Sequence, residues 1–332
     1  MNILRKILFP LAIVYWLVTF LRNKAYDIGF LKSTSFNKPV IAIGNLSTGG
    51  TGKTPFVEYL LSHLSTKKVV VLSRGYKRKT KGLVWATKNS TALDIGDEPF
   101  QIRSKFSNTP LVVHANRVEG VSEIIAKLPK TEVVVLDDAY QHRKLKASFY
   151  VLLTSFDALF STDYILPFGN LREPKSGKKR ANAVFVTKCP DTLSLVEQQK
   201  IAATLKVKVP VYFTTVAYDT LVHNANERLS FSEFKTNSFI AVAGIAKPKP
   251  FFDYLKISKT STLVYPDHHN FTENDISKIL QKAKGKKIIT TEKDFTRLEG
   301  KIPAEQLYYL PIKMQFLANE VQFQNQIHEH LG

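Results

Sequence analysis

Val40-Ile-Ala-Ile43-Gly44-Asn-Leu-Ser47-Thr48-Gly49-Gly50-Thr51-Gly52-Lys53-Thr54 is the stretch that decides the fold. Pro39 to Ile43 reads as a short apolar strand, and Thr54 to Leu64 has helical spacing at Phe56, Tyr59, Leu60 and Leu64. Between them lies a glycine-rich turn closing in Gly-Lys-Thr. In that context backbone amides curl around phosphate oxygens and the helix N-terminus adds positive potential. Gly49, Gly50, Thr51 and Gly52 supply the loop, Lys53 reaches the β- and γ-phosphates of a nucleotide, and the Thr54 hydroxyl ligates Mg²⁺. One departure from G-x-x-x-x-G-K-[ST] stands out: Ser47 occupies the usual first glycine position.

The matching second element is Val133-Val-Val-Leu136-Asp137-Asp138. Four apolar residues ending in acid put carboxylates at the C-terminal tip of a strand, where α/β sites form. One of Asp137 and Asp138 is suited to hold Mg²⁺, as the second acidic element of phosphate-loop enzymes does; the pattern leaves open which.

Outward from these two elements the chain alternates strand and helix. Val69–Leu72, Leu111–Val113, Tyr150–Leu153 and Val184–Val186 read as short buried strands, with helical patterns at Arg117–Leu128 and Leu193–Leu205. Continuous apolar strands with helical crossovers indicate an α/β fold with a parallel sheet covered on both faces. A second set follows: strands at Phe239–Val242, Leu263–Tyr265, Ile288–Thr290 and Leu307–Leu310, helices at Phe251–Ile257 and Glu273–Ala283. Thr272 with Asp275 is a capping-box pair for the last helix. The more polar stretch 217–236 breaks the rhythm. The expected organisation is an N-terminal helix over 1–24, a phosphate-loop domain over 25–216, a linker over 217–236 and a smaller α/β domain over 237–332.

Ile7 to Leu21 is uncharged and strongly apolar between Arg5-Lys6 and Arg22-Lys24. Its 15 positions span roughly 22 Å as a helix, short of the ~30 Å hydrocarbon core. A secretory signal peptide would need a small-residue cleavage site, which Arg22-Asn23-Lys24-Ala25 does not provide. The expectation is a membrane anchor, spanning or lying in the interface. The remaining composition agrees with an intracellular face. The 332 residues include one cysteine, Cys189, which excludes a disulfide framework and a Cys-based zinc site, and the net charge is +19. Such an excess calls for an anionic partner. Two basic clusters, Ser73-Arg74-Gly75-Tyr76-Lys77-Arg78-Lys79 and Leu171-Arg172 to Arg180, lack the aromatic interleaving of nucleic-acid readers, so no nucleic-acid partner is expected. Anionic lipid headgroups or a phosphorylated substrate fit better.

Two further motifs stay open on their own. Gly96-Asp97-Glu98-Pro99 fits an ordinary helix start as well as a site. Pro266-Asp267-His268-His269-Asn270 joins a strand to a helix. Adjacent histidines on a strand end point apart and no third ligand has suitable spacing, so a proton-handling histidine competes with a simple cap.

Taken in order, the motifs resemble the tetraacyldisaccharide 4′-kinase family of lipid A biosynthesis. The resemblance covers nearly the whole chain. It is carried by the apolar N-terminus, Gly44-Asn45-Leu46 through Thr54-Pro55, Ser73-Arg74-Gly75-Tyr76, Gly96-Asp97-Glu98-Pro99, Asp137-Asp138-Ala139-Tyr140-Gln141-His142, Leu171-Arg172-Glu173-Pro174, Ala243-Gly244-Ile245-Ala246-Lys247-Pro248, Asp267-His268-His269 and Thr291-Glu292-Lys293-Asp294. Ser47 in the loop is typical of the family; Ala139-Tyr140 stands where the family often has Gly-Phe. The resemblance implies a phosphate-loop α/β/α domain and a smaller α/β domain joined by a β-ribbon. It implies transfer of the γ-phosphoryl of ATP, with Mg²⁺, to the 4′-hydroxyl of an anionic glycolipid, tetraacyldisaccharide 1-phosphate, giving lipid IVA. The place of work would be the cytoplasmic leaflet of a Gram-negative inner membrane. It further implies Asp97 as the base, His268 as its partner across the two domains, and Arg74, Arg117 and Arg172 as substrate or phosphate contacts. Two rival classes are disfavoured: a partitioning ATPase carries a Lys just before Gly-Gly, where Thr48 stands, and a GTP switch needs [NT]-K-x-D, which Thr187-Lys188-Cys189-Pro190 misses.

Overall fold

Short apolar strands and helical crossovers build two sheets, seen in a computed structural model that describes residue 5 and residues 7–267 and 269–331. In chain order the elements of the larger unit are α1 (Phe9–Asp27), β1 (Val40–Asn45), α2 (Lys53–His63), β2 (Val69–Ser73), β3 (Val84–Trp85), α3 (Ala92–Ile95), α4 (Asp97–Lys105), β4 (Leu111–Val113), α5 (Arg117–Lys127), β5 (Val133–Leu136), β6 (Phe149–Ser155), β7 (Ala183–Thr187), α6 (Leu195–Leu205) and β8 (Val211–Tyr218). The second sheet follows with β9 (Leu221–His223), β10 (Arg228–Ser230), α7 (Phe231–Phe234), β11 (Phe239–Ala243), α8 (Lys249–Leu255), β12 (Thr262–Val264), α9 (Glu273–Ala283), β13 (Lys287–Thr291), α10 (Glu292–Leu298) and β14 (Leu307–Leu310). The chain ends in β15 (Ile312–Phe316) and α11 (Glu320–Leu331).

The larger sheet has the order β15-β8-β7-β6-β1-β5-β2-β4-β3. Pairing is parallel from β8 through β4 and antiparallel at both edges. β1 lies centrally, with β5 on one side and β6 on the other, so the strand order switches direction there. In open α/β sheets that switch opens a crevice at the strands' C-terminal ends. The strands are buried on both faces, which is why they read as apolar runs rather than alternations. α2 and α11 cover one face, where Phe56, Phe185 and Phe323 meet edge to face; α5 covers the other through Val121 and Ile124.

The six-stranded sheet, β10-β9-β14-β13-β11-β12, takes its strands from 221–310. Much of the stretch expected as a linker, 217–236, therefore forms β9, β10 and α7. The final residues, expected in the smaller unit of 237–332, instead return to the larger sheet. β15 pairs with β8, Ile312 opposite Tyr218 and Phe316 opposite Thr214, because Phe316, Phe323 and Ile327 bury with the core around Phe56.

α1 runs to Asp27, three residues beyond the expected helix end at 24. Only Ala12, Thr19 and Asn23 are buried, a narrow stripe that docks the helix on the larger unit. Ile13, Val14, Trp16, Leu17, Val18 and Phe20 stay exposed. Among the described residues no helix is long and apolar enough to cross a membrane, so a spanning anchor is not found. The apolar run gives way to Arg22, Asn23, Lys24 and Asp27 before the helix ends.

A close approach to the turn after β5 occurs at Gly44. A Cβ there would meet the Tyr140 Cβ at 2.6 Å. Gly44 is held in the sheet beside Leu152, and Tyr140 is fully buried with its hydroxyl donating to Gly177 O at 2.9 Å, so Gly44→Ala is expected to lower stability by about 1–3 kcal/mol, read as a fall in the urea midpoint at unchanged m-value.

Candidate active site

The glycine-rich loop leaves β1 and enters α2 at Gly52, whose φ of +80° is the left-handed conformation that favours glycine. Lys53 is the first helical residue. The loop is strapped down by a neighbouring segment: Thr48 N donates to Asn170 O at 2.8 Å and Arg172 N donates to Leu46 O at 2.7 Å. Behind it, Thr187 Oγ1 donates to Thr51 O at 2.9 Å.

The structure brings Lys53, Asp138 and Arg172 together. Lys53 Nζ lies 3.4 Å from Asp138 Oδ1, and Arg172 Nη1 lies 3.3 Å from each Asp138 oxygen. Burial opposes ionisation of Asp138, but Lys53 and Arg172 together outweigh it and hold its carboxyl below the usual range. Asp137, one residue earlier, behaves oppositely. It is fully buried, and burial pushes its carboxyl up to about 7, with Glu98 and Asp138 adding to the rise. Its Oδ2 accepts from Ser73 Oγ at 3.0 Å, while its Oδ1 is buried with no hydrogen-bond partner among the described residues. A buried carboxylate oxygen without a donor fits a cation there.

Arg117 starts α5 and is 1% exposed. Its guanidinium donates to the backbone carbonyl of Asp137 at 3.3 Å, and burial lowers it to about 10. It supports the acidic tip from behind and also lines a groove of about 460 Å³ with Arg22, Tyr26, Asn116, His142 and Arg143. Burial lowers His142 to about 4, and the positive charges of Arg117 and Arg74 push the same way. That field identifies the groove wall as cationic. Arg74 is exposed after β2.

The strap carrying Arg172 is itself held by Glu173, which is fully buried. Arg180 Nη2 donates to both of its oxygens at 2.8 and 2.9 Å, Gln141 Nε2 at 3.0 Å and Asn23 Nδ2 of α1 at 2.7 Å. Tyr15 of α1 donates to Arg172 O at 2.8 Å. Glu173, Gln141 and Arg180 were not expected as site residues. A buried charge can be recognised only once its partners, far apart in sequence, are known.

Asp97 opens α4, next to the left-handed Gly96. It lies at the junction with the second sheet, where its Oδ2 accepts from Nε of Arg297 at 3.2 Å and from Nη2 of the same guanidinium. Sequence reasoning missed Arg297. His268, the expected partner of Asp97, lies outside the described residues. Its neighbour His269, the alternative, is engaged elsewhere: Nε2 sits 2.9 Å from Asp275 Oδ2 and the ring stacks on Tyr265. The other end of α4 makes a second junction. Lys105 Nζ lies 2.6 Å from Glu58 of α2 and 3.5 Å from Glu292 of α10. Burial raises the Glu292 carboxyl to about 7, with Glu58 adding to the rise.

Residues 4–332 match the family described as LpxK, Tetraacyldisaccharide-1-P 4′-kinase. The chain belongs to that family. A Tetraacyldisaccharide 4′-kinase of Flavobacterium johnsoniae is 52% identical over 100% of this chain and 98% of its own length. One of Bacteroides thetaiotaomicron is 41% identical over 99% of this chain and 92% of its own. The crystal structure of LpxK from Aquifex aeolicus in complex with ATP is similar with a TM-score of 0.82 and 30% identity, covering 99% of this chain and 100% of that one.

The environment of Asp137 sets a pH dependence. Its folded-state carboxyl is raised, so between about 4 and about 7 the folded protein binds more protons than the unfolded chain, and stability falls as pH rises through that window. In metal-free protein Asp137→Asn is expected to flatten that slope and to raise the melting temperature at pH 8. A variant melting like the native chain at every pH would contradict the assignment of an uncompensated buried carboxyl.

Proposed function

We infer that the chain is a lipid kinase that transfers the γ-phosphoryl of ATP to the 4′-hydroxyl of tetraacyldisaccharide 1-phosphate, giving lipid IVA. The observation that carries this reading is membership of the 4′-kinase family over residues 4–332. The site chemistry supports it. Phosphoryl transfer asks the protein for positioning and charge stabilisation more than for covalent steps. The amides of Gly49, Gly50, Thr51 and Gly52 wrap the phosphates, and Lys53 stabilises charge on the β- and γ-phosphates. In this reading Lys53 exchanges part of its contact with Asp138 for the nucleotide, and Arg172 keeps Asp138 compensated.

Asp97 takes the proton of the sugar hydroxyl. A half-buried carboxylate at the junction of the two sheets is suited to that role, since docking of the second sheet keeps water from it. His268 is proposed as its partner from the family motif. The donor set fits Mg²⁺ on Thr54 and Asp137, with Asp138 less suited because two cations already engage it. When bound, Mg²⁺ neutralises charge on the phosphates.

The glycolipid reading also explains the cationic groove and α1. Arg22 and Tyr26 belong to α1 and line the groove, so one helix joins an exposed apolar side to a wall bearing Arg117, His142 and Arg143. We propose that α1 lies in the interface of the cytoplasmic leaflet of the inner membrane, its apolar side among acyl chains, while the groove takes an anionic headgroup. Arg74, Arg117 and Arg172 are the proposed substrate contacts.

Labelled ATP, Mg²⁺ and tetraacyldisaccharide 1-phosphate in detergent micelles test the activity directly. Native protein is expected to label the lipid. Lys53→Ala and Asp97→Asn are each expected to lose at least about a hundredfold in turnover, with ATP binding retained in Asp97→Asn. Unlabelled lipid with native protein would sink the kinase reading; near-native turnover in Asp97→Asn would sink the base. For the membrane, replacing both Trp16 and Phe20 by Ser is expected to weaken co-sedimentation with anionic vesicles by about tenfold or more. Unchanged co-sedimentation would move the attachment to another surface.

A further inference from the structure

Two sequence motifs have no part in the chemistry above: Ala243-Gly244 at the end of β11, and Thr291-Glu292-Lys293-Asp294 at the start of α10. The structure joins them. Thr291 caps α10, donating from Oγ1 to Asp294 Oδ2 at 2.8 Å and accepting from Asp294 N at 3.2 Å. Gly244 N donates to the same Oδ2 at 2.8 Å. The approach is tight: a Cβ at Gly244 would lie 3.1 Å from Asp294 Oδ1. Asp294 is wholly buried and thereby fixed. Its Oδ1 accepts from Arg297 Nη1 at 3.2 Å, one turn further along α10. The opposite edge of that guanidinium, Nε and Nη2, meets Oδ2 of Asp97.

We propose that Arg297 is a positioning residue for Asp97, and that the Gly244–Thr291–Asp294 cluster exists to hold it. A guanidinium is planar, with donors in a fixed fork. Pinning one edge on buried Asp294 fixes the direction of the other edge. The Asp97 carboxylate then has a set orientation only while the second sheet is docked. Docking does not depend on this contact alone. α4 and α10 also meet at their other ends, where Lys105 bridges Glu58 and Glu292. The Arg297 end thus adds orientation of one carboxylate to an interface already held elsewhere. This proposal rests on Asp97 being the base.

The test uses the full chain and the lipid phosphorylation assay with four variants. Arg297→Met is expected to lower kcat by about a hundredfold, the scale of a misplaced reacting group. The KM for ATP should stay within about twofold, since the loss lies in the transition state and not in nucleotide binding. Arg297→Lys, which keeps the charge but not the fork, should recover part of that kcat. The double variant Asp97→Asn/Arg297→Met should be no slower than Asp97→Asn alone, because a residue acting only through Asp97 has nothing left to position. Native kcat in Arg297→Met, a loss that appears in the KM for ATP, or a further loss in the double variant would each overturn the proposal. Should Arg297→Met fail to fold, Arg297→Lys decides it: reduced kcat with native melting temperature and ATP KM supports the role, and native kcat overturns it. Full activity in Asp97→Asn would instead remove the base reading, a different result from any of these.

Discussion

A carboxylate held between two cations organises the strand tips. Asp138 faces Lys53 of the glycine-rich loop on one side and Arg172 of the strap on the other, all three only partly exposed. In such a setting a lone charge is costly. Removing one partner leaves the other without compensation, at a cost below the about 3–5 kcal/mol of a fully buried pair. Three side chains from α2, from the turn after β5 and from the 170–173 strap are therefore bound into one arrangement. Asp137, next in sequence, is held apart from that compensation. Its burial without a cation explains why two adjacent acids in one turn have opposite proton affinities. A single Asp at the tip would have to be either an ion-pair member or a cation ligand. Two allow both.

The same economy governs the approach to the groove. Glu173 is buried with Arg180, Gln141 and Asn23, so a helix with little buried surface of its own is fastened at a charged residue beside the site. α1 buries only a stripe, and hydrophobic packing would hold it weakly. Hydrogen bonds to a buried carboxylate fix its angle instead. Its apolar side then faces outward, and Arg22 and Tyr26 face the groove. The shape that leaves apolar residues exposed is the shape that places Arg22 beside the groove wall of Arg117 and Arg143.

The central layer was legible because each of its elements carries a complete local signal. Leu111–Val113, Val133–Leu136 and Glu273–Ala283 fall at the expected residues, and the Thr272–Asp275 capping box is present. Lys53, Thr54, Asp137 and Asp138 could be placed because a strand tip or a helix start fixes where they sit. What was missed lacks local signals. β15 is an edge strand, paired antiparallel with β8 across about a hundred residues of sequence. The return of Phe316, Phe323 and Ile327 to the first core depends on which apolar surface remains uncovered, which no window of sequence states. Arg297 looks like any basic residue in the last turn of a helix, and only its distance to Asp97 gives it meaning.

The second sheet has a role that neither composition nor the nucleotide loop suggests. Its helix α10 lies along α4 with charge contacts at both ends, one reaching the carboxylate that opens α4 and one reaching Glu58 in the helix of the nucleotide loop. α4 is thereby the shared element: it touches the loop helix through Lys105 and Glu58, and the second sheet through both termini. A displacement of α10 would loosen both ends of α4 together, since one short rigid helix cannot follow at one end only. Loop helix and Asp97 are thus not independent parts. They are two ends of one connected set of charges, and the second sheet closes it.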